Sequence, residues 1–280
     1  MPTEILQRNF PLFTTACTPT TLIYAGGGGG GRTGVGNFIC FESVGNDRDK
    51  NNDKNSTKVN TGNEICTVVA ISNDGGVIAC GVGCEAHIIS VGKDGQPNRS
   101  SKDGASQDDS KDGASQGDSK DDSKDGDDGL SSFSKCSFVA DSLDRKPDGP
   151  PGGLDAMSFK SNDGDGARGQ SYTLATGGSD CTVRVWSVNV SSSSVTSSLL
   201  STLAGHTKSI CSLQFNPSPK SPLLASSSKD ATCRVWDYTQ QSSTGEVNSS
   251  SSYAQDGGAT LLAPDRNSAQ AALLFQFAIL

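Results

Sequence analysis

Thr173-Leu-Ala-Thr-Gly-Gly-Ser-Asp-Cys-Thr-Val-Arg-Val-Trp-Ser-Val188 aligns without a gap on Leu223-Leu-Ala-Ser-Ser-Ser-Lys-Asp-Ala-Thr-Cys-Arg-Val-Trp-Asp-Tyr238, and seven of the sixteen positions are identical. The offset is 50 residues, too regular to be chance, so the chain carries an internal repeat. Each copy reads as a short apolar strand, a tight turn at Ser-Asp or Lys-Asp, and a strand of alternating Val, Arg, Val and Trp. That pattern is the inner hairpin of a propeller blade.

The second copy adds Gly205-His206 upstream and Trp236-Asp237 at its end. These match the Gly-His and Trp-Asp dipeptides of WD repeats, whose period of ~40 to 45 residues is stretched here by a loop insertion from Ser191 to Ser198. On this template Cys66 to Val91 reads as a blade lacking its tryptophan. Pro11 to Ser43 reads as another, with Thr21–Ala25 and Phe38–Glu42 as partner strands joined by a glycine-rich connection. The expected organisation is a first blade at 10–43, a polar insertion at 45–63, a degenerate blade at 65–91 and an acidic low-complexity insertion at 92–134. WD-repeat blades follow at 136–188 and 200–238, then a serine-rich segment and apolar tail at 240–280. The fold class is all-β, a WD-repeat β-propeller. Rings of this kind have ~4 to 8 blades and WD rings usually about seven, so about four blades make an incomplete one.

Only 33% of the residues are hydrophobic, but the polarity is concentrated. Between Ser101 and Gly129 ten Asp and four Lys leave −6 of the formal net charge of −8. A solvated tract of this composition cannot offset its ordering entropy, so both polar insertions are expected to be disordered, as are Ser191–Ser198 and Gln240–Gly258. The remainder is nearly neutral, which gives no basic patch and no expectation of nucleic acid binding. The nine cysteines are scattered singly, mostly in apolar runs, and read as reduced thiols of a cytosol-facing chain. No apolar run reaches the ~18 residues of a membrane span, and the tail from Ala271 to Leu280 is too short for one, so the chain as given reads as soluble.

Four constellations could carry chemistry. His206, Ser226, Asp230 and Trp236 occupy the WD positions of a buried hydrogen-bonded tetrad, a structural network in which the imidazole bridges the turn aspartate and the strand hydroxyl. A Ser-His-Asp nucleophile is the competing reading, and nothing exposes a reactive hydroxyl. Cys80, Cys84 and His87 offer three zinc ligands without a fourth, and alternation along one strand would send them to different faces. Asp121-x-Ser123-x-Asp125-Gly126 opens like a calcium loop but has Ser132 where a bidentate Glu is needed. Finally, Gly26 to Asn37 (Gly-Gly-Gly-Gly-Gly-Gly-Arg-Thr-Gly-Val-Gly-Asn) meets phosphate-loop patterns loosely, yet a β-type run follows it where a helix N-terminus is required. An apolar Val35 held between glycines, followed by Asn37, is instead the pattern of a shaped loop made for protein contact.

Phe10-Pro11-Leu12, Leu22-Ile-Tyr-Ala-Gly-Gly-Gly-Gly29 and Arg32-Thr-Gly-Val-Gly-Asn37 resemble the first blade of the endoplasmic-reticulum family of WD-repeat guanine-nucleotide exchange factors. That family acts on the small Ras-like GTPase that starts vesicle-coat assembly. The blade ending at Trp186 and the polar insertion between second and third blades resemble it too. The resemblance implies a GTPase partner, no covalent chemistry and hence no classical enzyme, and an exchange loop in which Gly34, Val35, Gly36 and Asn37 contact the GTPase. Val35 would be the apolar wedge, Asn37 would hold the loop's shape, and Gly26, Gly27, Gly28 and Gly29 would support it. A structural potassium ion, held by backbone carbonyls, would be the only bound group. It further implies a place on the cytosolic face of the endoplasmic reticulum membrane, through a C-terminal helix that this chain lacks. The alternative function is a generic WD-repeat interaction scaffold without exchange activity.

Overall fold

The computed structural model describes residues 8–28, 34–44, 56–99, 129–141, 152–162, 170–191, 194–218 and 220–239. They form fifteen antiparallel strands in four sheets, each built from strands consecutive in the chain. Sheet 1 holds β1 (Leu12–Cys17), β2 (Thr21–Gly26), β3 (Asn37–Ser43) and β4 (Ser56–Gly62). Sheet 2 holds β5 (Cys66–Ile71), β6 (Val77–Val82), β7 (Glu85–Ser90) and β8 (Ser134–Val139). Sheet 3 holds β9 (Leu154–Ser161), β10 (Gln170–Gly178), β11 (Thr182–Val190) and β12 (Val195–Ala204). Sheet 4 has three described strands, β13 (Ile210–Phe215), β14 (Leu223–Ser228) and β15 (Cys233–Asp237).

Period-two alternation gives the sheets apolar faces, and successive sheets close on one another face to face. Ile23, Ile39 and Phe41 of sheet 1 meet Val69, Ile78 and Ile89 of sheet 2. The other face of sheet 2 meets Leu174, Trp186 and Val188 of sheet 3, whose far face in turn packs on Leu213, Leu224 and Trp236 of sheet 4. Among the described residues no strand packing joins sheet 4 to sheet 1, so the four sheets make an open arc of propeller blades rather than a ring.

Three boundaries differ from the sequence reading. Ser56–Gly62, placed there in the polar insertion 45–63, is the outer strand of sheet 1, with Val59 fully buried between polar neighbours. Ser134–Val139 does not open the blade 136–188: it pairs back onto β7 across the whole acidic insertion and completes sheet 2. Within Ser191–Ser198, the residues from Val195 onward already belong to β12. Outer strands need only one half-buried face, so serine and threonine suffice for them and the apolar alternation fades.

The base of the acidic insertion is clasped. Asn60 bridges to Gly129, the Arg99 guanidinium stands 5.5 Å from the Phe133 ring, and Lys135 Nζ donates to the Arg99 carbonyl. Leu130 and Phe133 return into the core between sheets 1 and 2. The calcium-like stretch from Asp121 to Gly126 and its Lys- and Asp-rich surroundings lie outside the described residues.

Candidate functional site

Sheet 4 joins the four tetrad residues in one chain of hydrogen bonds. Trp236 Nε1 donates to Ser226 Oγ at 2.8 Å, and Ser226 Oγ lies 2.7 Å from His206 Nε2. His206 Nδ1 is 2.9 Å from Asp230 Oδ2, which also accepts from the Thr207 amide at 3.0 Å. One tautomer satisfies every member: Nδ1 carries the proton toward Asp230, and Nε2 accepts the serine hydroxyl. Burial depresses the His206 pKa and outweighs the opposing pull of Asp230. Burial alone would raise the Asp230 pKa, but hydrogen bonds from Thr232, the Thr207 amide and His206 hold it well below the usual carboxylate value. Ser226 is 3% exposed and donates inward, so the cluster is a rivet and not a nucleophile.

The turn before each tryptophan is the same in both repeats. Cys181 and Ala231 sit in the left-handed region at φ 65° and 66°, and Asp180 and Asp230 accept from the amides of Thr182 and Thr232 two residues on, at 3.0 and 2.9 Å.

Cys80 and His87 face one another across β6 and β7 and so share a face, because the seven-residue span is a hairpin and not a single strand. His87 is engaged by Ser134 Oγ at 3.3 Å and Glu85 Oε2 at 3.4 Å, and burial lowers its pKa. Among the described residues no three His, Cys, Asp or Glu side chains come together as a metal site.

The glycine-rich connection of sheet 1 leaves the inner hairpin β2–β3. Gly26 ends β2 and Asn37 begins β3, while Gly29 lies outside the described residues with 30–33. Asn37 is 2% exposed, and its side-chain amide donates to the Gly62 carbonyl at 2.9 Å, tying the loop's end to the end of β4. Gly27 has φ 156°, and a Cβ there would fall 2.2 Å from Asn37 Oδ1, so only glycine allows this approach. Gly34 has φ 70° with open space around its Cα, and the neighbouring Val35 is half-buried between exposed Gly34 and Gly36. Gly28 is half-buried next to Gly27. The structure thus brings Gly27 and Asn37 into contact and presents Gly34 to Gly36 at the surface.

The sequence reading missed two polar contacts. Arg184 Nη1 pairs with Asp180 Oδ2 at 2.6 Å, and also donates to the Ala140 carbonyl at 3.0 Å. Tyr172, 1% exposed, donates to Asp74 Oδ2 at 2.8 Å and links sheets 3 and 2. The first was available from the repeated Asp-x-x-x-Arg spacing; the second spans 98 residues and leaves no local signal.

Residues 158–187 and 197–237 match the family model described as WD domain, G-beta repeat. Human Coronin-7 is 42% identical over 67 residues, which are 24% of this chain and 7% of that protein. The WD40 domain of SCAP from fission yeast superposes with a TM-score of 0.47 at 9% identity, over 82% of this chain and 43% of that one. Chaetomium thermophilum Sqt1, solved bound to the N-terminus of the ribosomal protein L10, gives 0.44 at 18% identity, over 79% and 43%. The chain therefore spans less than half the length of either solved structure. The two matched segments are WD repeats, and the four sheets are blades of an all-β propeller arc. Among the described residues no helix is long and apolar enough to cross a membrane.

Proposed function

We propose that this chain belongs to a guanine-nucleotide exchange factor, acting on the small Ras-like GTPase that initiates vesicle-coat assembly at the endoplasmic reticulum. The observation that carries this reading is the loop leaving β2. Its end is fixed by the buried Asn37 amide on Gly62, its start is pressed against the same asparagine at Gly27, and between them Val35 is offered on a left-handed glycine. A rigid base with one partly exposed apolar side chain beside it suits a surface that must wedge into a partner rather than react with it.

Exchange of this kind requires only that the factor bind the nucleotide-free GTPase better than the GDP-bound one, which shifts population toward release. Gly34, Val35 and Gly36 would supply the contact, and Asn37 with Gly26 to Gly29 the support. Asn37 Oδ1 and the Gly36 carbonyl oxygen both lie beside Gly27, and oxygen is the ligand type that a hard monovalent cation such as potassium takes, so a structural potassium ion held by the loop is part of the proposal. Its role would be to stiffen the loop. The location proposed for the parent protein is the cytosolic face of the endoplasmic reticulum membrane.

The test is release of a fluorescent GDP analogue from the GTPase, measured with the full-length parent protein. Val35→Ala is expected to slow release at least tenfold with the fold unchanged, and Asn37→Ala to slow it while also lowering thermal stability. Unchanged rates in both variants leave the alternative, a WD-repeat interaction scaffold, which the family match to residues 158–187 and 197–237 supports on its own.

A further inference from the structure

The glycines of the loop between β2 and β3 are glycines for different reasons. Gly34 has a left-handed φ of 70°, and Gly27 lies against the Asn37 side chain. Gly36 has no left-handed φ. A Cβ on it would instead fall 2.6 Å from Cζ and 2.8 Å from Cε2 of Phe38, so position 36 is kept bare to admit that ring.

A free ring tip would swing away from an added methyl group, but this ring is held on two further sides. Lys58 Nζ stands 3.4 Å from its centre, where the negative face of the ring attracts a cation. The Phe10 ring lies 6.2 Å away, tilted by 53°, within the range that aromatic pairs prefer. The sheet places Lys58 there: β3 and β4 pair Phe38 with Asn60 and Cys40 with Lys58, which makes Lys58 the diagonal neighbour of Phe38 on one face. The register of the two strands shifts between Asn37 and Phe38, and such a shift re-aims side chains. Asn37 turns inward to the Gly62 carbonyl while Phe38 lies back against Gly36. Phe38 is half-buried and stands apart from Ile23, Ile39 and Phe41, which form the core contribution of sheet 1.

We propose that Phe38, clamped by Lys58, is the positioning residue of this loop: it fixes Gly36 and so sets where Val35 stands toward the partner. This rests on the reading of Val35 as the GTPase contact. Asn37 ties the end of the loop to the sheet, and Phe38 fixes the residue before it. Neither Phe38 nor Lys58 has to touch the GTPase for its loss to be felt, because a contact misplaced by about 1 Å loses much of its effect.

Hydrogen exchange on the full-length parent protein, without the GTPase, tests the clamp. In Phe38→Leu the amides of residues 35–37 should exchange about tenfold faster, with β2, β5 and β6 unchanged. Release of the fluorescent GDP analogue tests the consequence. Phe38→Leu and Gly36→Ala should each lower the maximal release rate about tenfold and change the half-saturating factor concentration less than about twofold. Phe38→Ala combined with Gly36→Ala should be no slower than Phe38→Ala alone, since the ring that met the new methyl group is gone. Lys58→Met should lose about threefold, and Lys58→Arg should regain it, because a guanidinium also binds a ring face. Unchanged exchange at residues 35–37 in Phe38→Leu overturns the proposal, whatever the release rate. So does a loss of protection throughout β2 to β4, which makes Phe38 a core residue of sheet 1 and nothing more. A double variant slower than Phe38→Ala overturns it as well. A parent protein that releases no nucleotide from the GTPase refutes the exchange reading alone, and the hydrogen exchange of Phe38→Leu then decides the clamp.

Discussion

Sheets 3 and 4 are built on the same sixteen-residue pattern and hold the turn aspartate by different means. In sheet 4 Asp230 is taken by His206, which arrives from the segment before β13. Sheet 3 has no histidine at that place, and Asp180 is taken by Arg184 from its own hairpin, four residues on. The same guanidinium reaches the Ala140 carbonyl, and Asp141, 1% exposed, accepts the Ser179 amide at 2.8 Å, so the incoming segment is still tied to the turn. The arginine at the repeat position of sheet 4 is thereby displaced. Arg234 lies 5.8 Å from the Trp236 ring centre, and its Nε is buried without a hydrogen bond among the described residues. One side chain type at one repeat position is an anchor in one blade and a cover in the next, and the deciding factor is whether a histidine has reached the aspartate first.

Truncating the two arginines should separate these roles most sharply. Arg184→Ala removes one half of a largely buried ion pair whose side chains are 14% and 7% exposed, and a loss of about 3 kcal/mol is expected in urea denaturation. Arg234→Ala should cost under about 1 kcal/mol, because a cation over a ring contributes little and an unsatisfied nitrogen leaves with it. Equal losses would mean that the ion pair in sheet 3 is not what distinguishes the blades. His206→Ala comes next, at about 2 kcal/mol, since it strands the Asp230 carboxylate and the Ser226 hydroxyl in a buried site. No substitution in sheet 3 should reproduce the spectral change expected at Trp236, whose indole bonds to Ser226 beside the imidazole.

The pH dependence is the smallest effect and the most selective. The folded His206 pKa lies below its ordinary 6.5, so the unfolded chain binds the proton first, and stability present above pH 6.5 is lost as pH falls through the folded value. His87 is shifted in the same direction by burial and contributes to the same window. Melting temperature should therefore fall as pH is lowered below 6.5. His206→Gln should flatten part of that slope and leave the His87 part, while Arg184→Ala should not change the slope at all. A His206→Gln profile parallel to that of the parent would refute the neutral tautomer assigned here.

The repeat made sheets 3 and 4 legible because tryptophan, aspartate and arginine recur where burial and turn geometry demand them. Sheet 1 could be read only through its inner hairpin. Its outer strand, Ser56–Gly62, shows a single apolar residue, and Val59 alone cannot announce a strand. Assigning Ser134–Val139 to the wrong blade has a similar cause: after a long polar insertion, nearness in sequence favours β9, whereas hydrogen bonding favours β7. The tetrad could be named from the sequence because all its members lie in one repeat. The ion pair of sheet 3 follows the repeated Asp-x-x-x-Arg spacing, but in sheet 4 the same arginine lies over Trp236, so the spacing alone does not fix one role for both copies. In the glycine-rich loop, composition marks the glycines and the asparagine, but the hydrogen bond that the Asn37 side-chain amide donates to the Gly62 carbonyl crosses to another strand and has no local sign.

The clasp at the base of the acidic insertion sets how that insertion can change over evolutionary time. Asn60, Arg99, Gly129 and Phe133 fix the two exit points regardless of what runs between them. Lengthening such a tether by one more copy of its duplicated seven-residue unit adds only about 0.2 kcal/mol of closure entropy, since that term grows with the logarithm of length. On that scaling, a longer or shorter tract between these anchors is expected to leave the stability of sheets 1 and 2 nearly unchanged.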